Sequence, residues 1–508
     1  MNSIKKLAGE TIWYGGSTIA AKLINYLLTP FLTYTLTNKS DYGKIGLIYS
    51  LIPIFNIIFT YGFETAYFRF SGKNEGSTKL YSTAFLSLFI STIIFTGILW
   101  LNKTSLGAVI GLEKFPTIIK LMILVIATDT LSAIPFARLR QEGRPKKFAA
   151  AKILGVLINI LLTWFFIGYC PAHYTANPTG WLSKVYDPAI NPITYVVFAN
   201  LAQSVITLIF LSKEILQIRF SFDSALWKHM MIYALPLVLV GMGGMINETM
   251  DRLMLNWWLP GSKIFREEQV GVYNACYKLS ILITLFIQAF KMSAEPFFFK
   301  QAEGTNPQII YARVMKFFVV IISVMFLAVS LFIPLWKYFI GPKYWEGLSV
   351  VPILLLANVF LGIYYNLSIW YKLSNKTIYG AWVTLIGTTL TIVINYIFIP
   401  KYGFTACAWA TLICYGSMMV ISFIWGQKYY RIPYAWKKLL AYIIIVVTIF
   451  FIHKGVTHLY DNKFFSLGIA TVLLFIYCRF LTLVEYKEFS KLPYIGKYFA
   501  QKKLITGA

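Results

Sequence analysis

The chain has 508 residues, of which 58% are hydrophobic and only 13% charged, with a mean hydropathy of +0.66. Soluble domains carry about 25% charged residues, so that class is excluded, and apolar runs of about 20 residues, the length that crosses a bilayer, recur from end to end. A net charge of +26 would suggest nucleic acid in a soluble chain; here Lys and Arg gather in alternate loops, the mark of membrane topology, and no nucleic-acid partner is expected.

The pattern predicts an all-α polytopic membrane protein of about 14 transmembrane helices. In chain order the spans are residues 11–36, 42–68, 80–101, 117–138, 147–170, 193–213, 225–256, 271–296, 311–335, 349–371, 376–399, 404–427, 435–456 and 464–484. The basic opening "MNSIKKLAGETIWYGG" is read as the start of the first span rather than a cleaved signal, because the apolar run behind it is long and carries Lys22.

Several spans carry polar side chains at helical spacing, so that they share a face. Span 1 bears Thr18, Lys22, Asn25 and Thr29, and span 2 bears Asn56, Thr60 and Glu64. Span 4 contributes Asp129, and span 5 contributes Lys152 and Asn159. Span 7 holds Glu248, Asp251 and Arg252 within "GMINETMDRL". Span 8 has the longest stripe, from Asn274 and Lys278 through Gln288 and Met292 to Glu295, with Lys291 beside it.

Bland explanations cover some of these. Lys152 and Lys291 lie near span ends, where a lysine snorkels to the headgroups. Glu248 with Arg252 fits a structural pair, and Asn25 and Asn159 fit interhelical hydrogen bonds. Lys22 resists this treatment, because about 16 Å of helix separates it from either surface. A cavity lined by Lys22, Asn25, Arg252, Asn274, Lys278 and Gln288 suits an anionic, phosphate-bearing substrate. Glu64, Asp129, Glu248, Asp251 and Glu295 are candidates for binding a coupling Na+ or H+. The five cysteines show no metal-ligand spacing, so no metal and no cofactor are expected.

Basic residues set the orientation. "ARLRQEGRPKK" (137–147) places five of them in eleven residues, and the segments on its side hold roughly twice the Lys and Arg of those opposite. Both termini are therefore expected in the cytoplasm. A weak repeat aligns "YGKIGLIYSL" (42–51) with "VGVYNACYKL" (270–279), matching Gly43 with Gly271, Tyr49 with Tyr277 and Leu51 with Leu279. Two homologous six-helix lobes around a central cavity follow, at 1–220 and 221–430, with two further helices and a basic tail at 431–508.

The stretch "INYIFIPKYGFTACAWATLICYG" (394–416) resembles the N-x-x-x-I-P-x-x-G-x-x-(G/A)-A-A-x-A-T motif of bacterial polysaccharide flippases, within the multidrug/oligosaccharidyl-lipid/polysaccharide exporter superfamily. Asn395, Ile399, Pro400, Gly403, Ala406, Ala408 and Thr411 fit it, and Cys407 stands where alanine is usual. In physical terms it reads as a helix closed by Pro400, a turn at Gly403 and a small-residue helix start. The resemblance implies alternating access at the inner membrane of a bacterium and a lipid-linked oligosaccharide as cargo. It implies basic cavity residues holding the diphosphate, a role open to Lys22, Lys278 and Arg252, with membrane lipids and polysaccharide polymerase machinery as partners and a monomeric state. The first lobe lacks the I-P-x-x-G motif after span 5, having the 171–192 loop instead.

The leading expectation is thus a flippase for an undecaprenyl-diphosphate-linked unit of O-antigen, capsule or exopolysaccharide. Peptidoglycan-precursor flipping and cation-coupled drug export are the alternatives. No G-x-x-x-x-G-K-[ST] signature occurs, which argues against direct ATP drive. An enzyme of lipid-linked sugars would need an outer catalytic loop, and His173, Asp187, His453 and His458 form no paired-acid or arginine-bearing site.

Overall fold

The computed structural model describes residues 2–71, 78–176, 180–219, 221–302, 304–374, 376–459 and 462–490. Among them the regular structure is helical throughout, as it must be where no water can satisfy backbone groups in a bilayer. Thirteen of these helices are long and apolar enough to cross a membrane.

The first half contains α1 (Asn2–Tyr26), α2 (Leu28–Thr35), α3 (Lys39–Thr60), α4 (Phe63–Ser71), α5 (Thr78–Leu101), α6 (Pro116–Gln141), α7 (Pro145–Trp164) and α8 (Pro192–Phe210). The second contains α9 (Ser224–Trp258), α10 (Lys263–Leu279), α11 (Ile281–Gln301), α12 (Pro307–Ser330), α13 (Val351–Leu367), α14 (Ile378–Tyr402) and α15 (Phe404–Tyr429). Two more, α16 (Trp436–Leu459) and α17 (Lys463–Val484), pack on α12. Helix starts follow local chemistry: proline opens α6, α7, α8 and α12, while the side chains of Asp223 and Ser262 cap α9 and α10.

Several predicted spans are broken, three of them within the regions that carry the polar stripes. The first is split at Leu27 into α1 and α2, and it is not among the thirteen. The second breaks where Tyr61 (φ 32°) and Gly62 (φ 73°) turn left-handed between α3 and α4. The eighth breaks at Ser280, so its polar stripe is shared between α10 and α11 rather than running down one helix. The 171–192 segment, expected to be a plain loop, holds a helix at Cys170–Ala176 and a 3-10 turn at Trp181–Lys184. α14 runs through Pro400 and ends at Gly403 (φ 55°), so the glycine rather than the proline closes it. The basic tail at 491–508 lies outside the described residues.

The halves meet chiefly where α3 packs on α10, α9 on α3 and α4, and α1 on α11. The motif at 394–416 braces α9 from behind. Asn395 hydrogen-bonds the Met254 sulfur (3.5 Å), Cys407 the Asp251 carbonyl (3.7 Å) and Tyr415 the Asn247 carbonyl (3.5 Å). Ala406, Ala408 and Ala410 are buried, which lets the helices approach closely.

Candidate functional site

Between the halves lies a cavity of about 280 Å³ walled by α1, α3, α9, α10 and α11. Lys22, Asn25, Glu248, Arg252, Asn274, Lys278 and Gln288 all line it, so residues from separate predicted spans converge here. Among the described residues three cations face one carboxylate, Glu248. The Lys22 ammonium donates to Gln288 Oε1 at 2.6 Å, which joins α1 to α11 across the halves. The Lys278 ammonium makes no hydrogen bond or ion pair among the described residues, although its side chain points into the cavity wall.

Arg252 is held more rigidly than sequence spacing suggested. Its ion pair is with Asp251 (2.8 Å), not Glu248, whose backbone carbonyl it contacts at 2.8 Å. Its guanidinium lies 4.2 Å from the Tyr277 ring centroid, a cation–π contact. Tyr273 donates to the other Asp251 oxygen at 2.6 Å. Asp251 is buried with both oxygens occupied and does not line the cavity. It belongs to the frame that aims Arg252, because adjacent residues on a helix point apart.

Tyr49, Ser50, Tyr277, Thr249 and Thr284 also line the cavity, and none was expected there from the polar stripes. The repeat alignment held the signal. It pairs Tyr49 with Tyr277, Ser50 with Lys278 and Gly46 with Asn274, and all six line this one cavity.

A second chamber of about 550 Å³ lies mainly in the first half, walled by α1, α3, α4, α6, α7 and α8, with Met292 of α11 at its edge. It gathers Asn56, Glu64, Asp129 and Lys152 from the predicted stripes. Arg140, Gln203, Ser204 and Thr207 join them, although the sequence reading did not pick them out. Glu64 is ion-paired with Arg140, and Asp129 accepts from Ser204 at 2.6 Å. The Lys152 ammonium sits 4.2 Å from the Phe136 ring centroid. The Glu295 side chain lies outside the described residues. Lys291 stands over the Tyr365 ring at 4.6 Å, away from both chambers. Asn159 bridges to Asn25 at 3.4 Å, matching the interhelical reading.

One end of the central cavity is shut by charge pairs that join the halves. Lys39 meets Glu346 at 2.9 Å, Lys263 meets Glu113 at 2.6 Å, and Lys44 lies between Asp41 (3.0 Å) and Glu267 (3.7 Å). The hydrogen bond from Lys263 holds the Glu113 carboxyl below the usual carboxylate range. Of the histidines weighed in the sequence, His173 stacks on Tyr169, and His453 Nε2 meets the Ser466 carbonyl oxygen at 3.1 Å.

The chain belongs to the polysaccharide biosynthesis protein family, whose model it matches over residues 7–301. No match is found among curated protein sequences. Among solved structures it is similar to the lipid II flippase MurJ in an inward closed conformation, with a TM-score of 0.69 and 14% identity over 94% of this chain and 99% of that one. It is also similar to an inward-facing multidrug resistance MATE family transporter of the MOP superfamily (TM-score 0.65, 16% identity, 84% of this chain and 95% of that one). The same fold appears in a MATE structure in complex with MaD3S (TM-score 0.59, 16% identity, 85% and 96% coverage). The fold is that of the flippases and transporters of this superfamily.

Proposed function

We propose that the protein flips an undecaprenyl-diphosphate-linked oligosaccharide, a repeat unit of O-antigen, capsule or exopolysaccharide, from the inner to the outer leaflet of a bacterial inner membrane. The observation that carries this reading is the convergence of Lys22, Lys278 and Arg252 on a cavity between the halves with Glu248 as the one lining carboxylate among the described residues. Phosphate oxygens bind such a cluster through charge-assisted hydrogen bonds, while the polyprenyl chain stays in lipid. With both termini in the cytoplasm, the charge pairs around Lys44 close the periplasmic end, and the state described is the one that loads from inside. Glu248 is the proposed coupling group for H+ or Na+, since it faces the same cavity and competes with the phosphate for Lys22. Release of substrate then restores the Lys22–Glu248 attraction.

A peptidoglycan precursor carries the same polyprenyl diphosphate, and the similarity to MurJ favours it as the second reading. Organic cations fit poorly, since three cations line the cavity. The test is leaflet assignment. In a deletion strain, a membrane-impermeant glycan label reports where lipid-linked oligosaccharide accumulates. Inner-leaflet trapping relieved by the wild-type gene supports the reading, and undiminished delivery to the outer leaflet sinks it.

A further inference from the structure

The central cavity explains where a diphosphate sits but leaves the glycan unplaced. The second chamber adjoins it directly. Thr18 and Met292 line the chamber, while Lys22 and Gln288, each one helical turn away on α1 and α11, line the central cavity. One turn is about 5.4 Å, so the Lys22–Gln288 hydrogen bond stands as a bar between the two spaces.

The two spaces differ in charge. The central cavity has three cations against one carboxylate, whereas the chamber sets Arg140 and Lys152 against Glu64 and Asp129 and is balanced. Its volume of about 550 Å³ lies within the range of about 300–1,000 Å³ typical of small-molecule sites. Its walls mix amides (Asn56, Gln203) and hydroxyls (Thr60, Thr207) with the rings of Phe136 and Phe148. Amides and hydroxyls in such a lining offer both donors and acceptors to a polyhydroxylated ligand.

We infer that this chamber seats the sugar rings next to the diphosphate, and that it selects uncharged rings. A uronic acid would bring a third carboxylate beside Glu64 and Asp129. The inference rests on the proposed flippase reading, with the Lys22–Gln288 bar swinging aside as phosphate takes Lys22.

The test uses the full chain in its own host, with the photoreactive residue p-azidophenylalanine placed at Gln203 in the chamber or at Thr284 in the central cavity. Illumination with glycan assembly intact is expected to attach lipid-linked glycan at both positions. In cells lacking the first sugar transferase, where bare polyprenyl phosphates replace this glycan's lipid-linked form, capture at Gln203 should fall at least about tenfold while Thr284 still captures the bare lipid. That fall is about 1.4 kcal/mol of lost interaction. The inference is overturned if Gln203 captures nothing while Thr284 captures lipid, or if Gln203 captures the bare lipid equally well. Failure of capture at both positions instead overturns the flippase reading beneath it. Thr60 of α3, which also lines the chamber, carries the same probe should the Gln203 variant fail to reach the membrane.

Discussion

Gly43 of α3 and Gly271 of α10 face each other at the junction of the two halves, each against the backbone one turn upstream of the other. A β-carbon on Gly271 would lie 2.5 Å from the Lys39 carbonyl oxygen, and one on Gly43 would overlap the Glu267 carbonyl oxygen. Lys39 precedes Gly43 by four residues and Glu267 precedes Gly271 by four, so the contact is reciprocal. The repeat is therefore a packing device, with two equivalent helices related by a local two-fold and a glycine from each at the crossing.

Gly43→Val should separate α3 from α10, since neither carbonyl belongs to a flexible side chain. Overpacking of this kind costs about 1–3 kcal/mol, enough to shift the closed state about fivefold or more. Cysteines placed at Lys39 and Glu346, whose charged groups now meet at 2.9 Å, should then cross-link at least about fivefold less, with transport impaired. Unchanged cross-linking would show that the glycine pair does not set closure.

Lys22→Ala should abolish delivery of lipid-linked glycan to the outer leaflet, and Lys22→Arg should keep part of it. A central lysine opposes insertion by about 3 kcal/mol, so alanine is expected to leave membrane abundance equal or higher. Normal export at normal abundance in Lys22→Ala would return this residue to a purely structural role.

Arg252→Gln should lower membrane abundance as well as transport, because it strands the buried Asp251 carboxylate. Removing one partner of such a pair costs about 3–5 kcal/mol. The double variant Arg252→Gln with Asp251→Asn is expected to regain abundance without regaining transport. Recovery of transport in the double variant, read by the leaflet assay, would remove Arg252 from the binding cluster.

Glu485 ties the last two helices to the rest of the protein. It accepts from Tyr442 (2.5 Å), Lys438 (2.7 Å) and Lys316 (3.2 Å), the last from α12. Burial works to raise its pKa, and these hydrogen bonds outweigh burial and hold it below the usual range. A depressed carboxylate pKa stabilises the fold fully above the unfolded value, about 4.3, and that stabilisation fades as pH falls through the folded value. Glu485→Gln should lower the Tm at pH 7 and narrow its gap from wild type below pH 4. A constant gap across that range would show that ionisation is not what matters.

Membrane class, helix order and the polar stripes of α1, α3, α9, α10 and α11 were legible in the sequence, because a bilayer demands apolar runs and makes every charge within them conspicuous. Lys22 and Lys278 stood out for that reason, and they do meet in one cavity, with Gln288 of the same stripe. Composition could not decide which way a charge faces when two neighbours on a helix are both charged. Asp251 and Arg252 differ by one residue, about 100° of helix, so one lines the cavity and the other is buried in the frame behind it. Nor did spacing reveal the breaks at Leu27, Gly62 and Ser280, since hydropathy runs smoothly through them while the backbone turns. The second chamber was the least visible feature. Arg140 lies in a basic loop-end cluster and Gln203 is a lone amide in an apolar run, and only the packing of α6, α7 and α8 brings them to one space. That charges stand inside a membrane follows from the order of residues alone; which of them share a cavity follows from helix rotation and long-range packing, and neither is written in local periodicity.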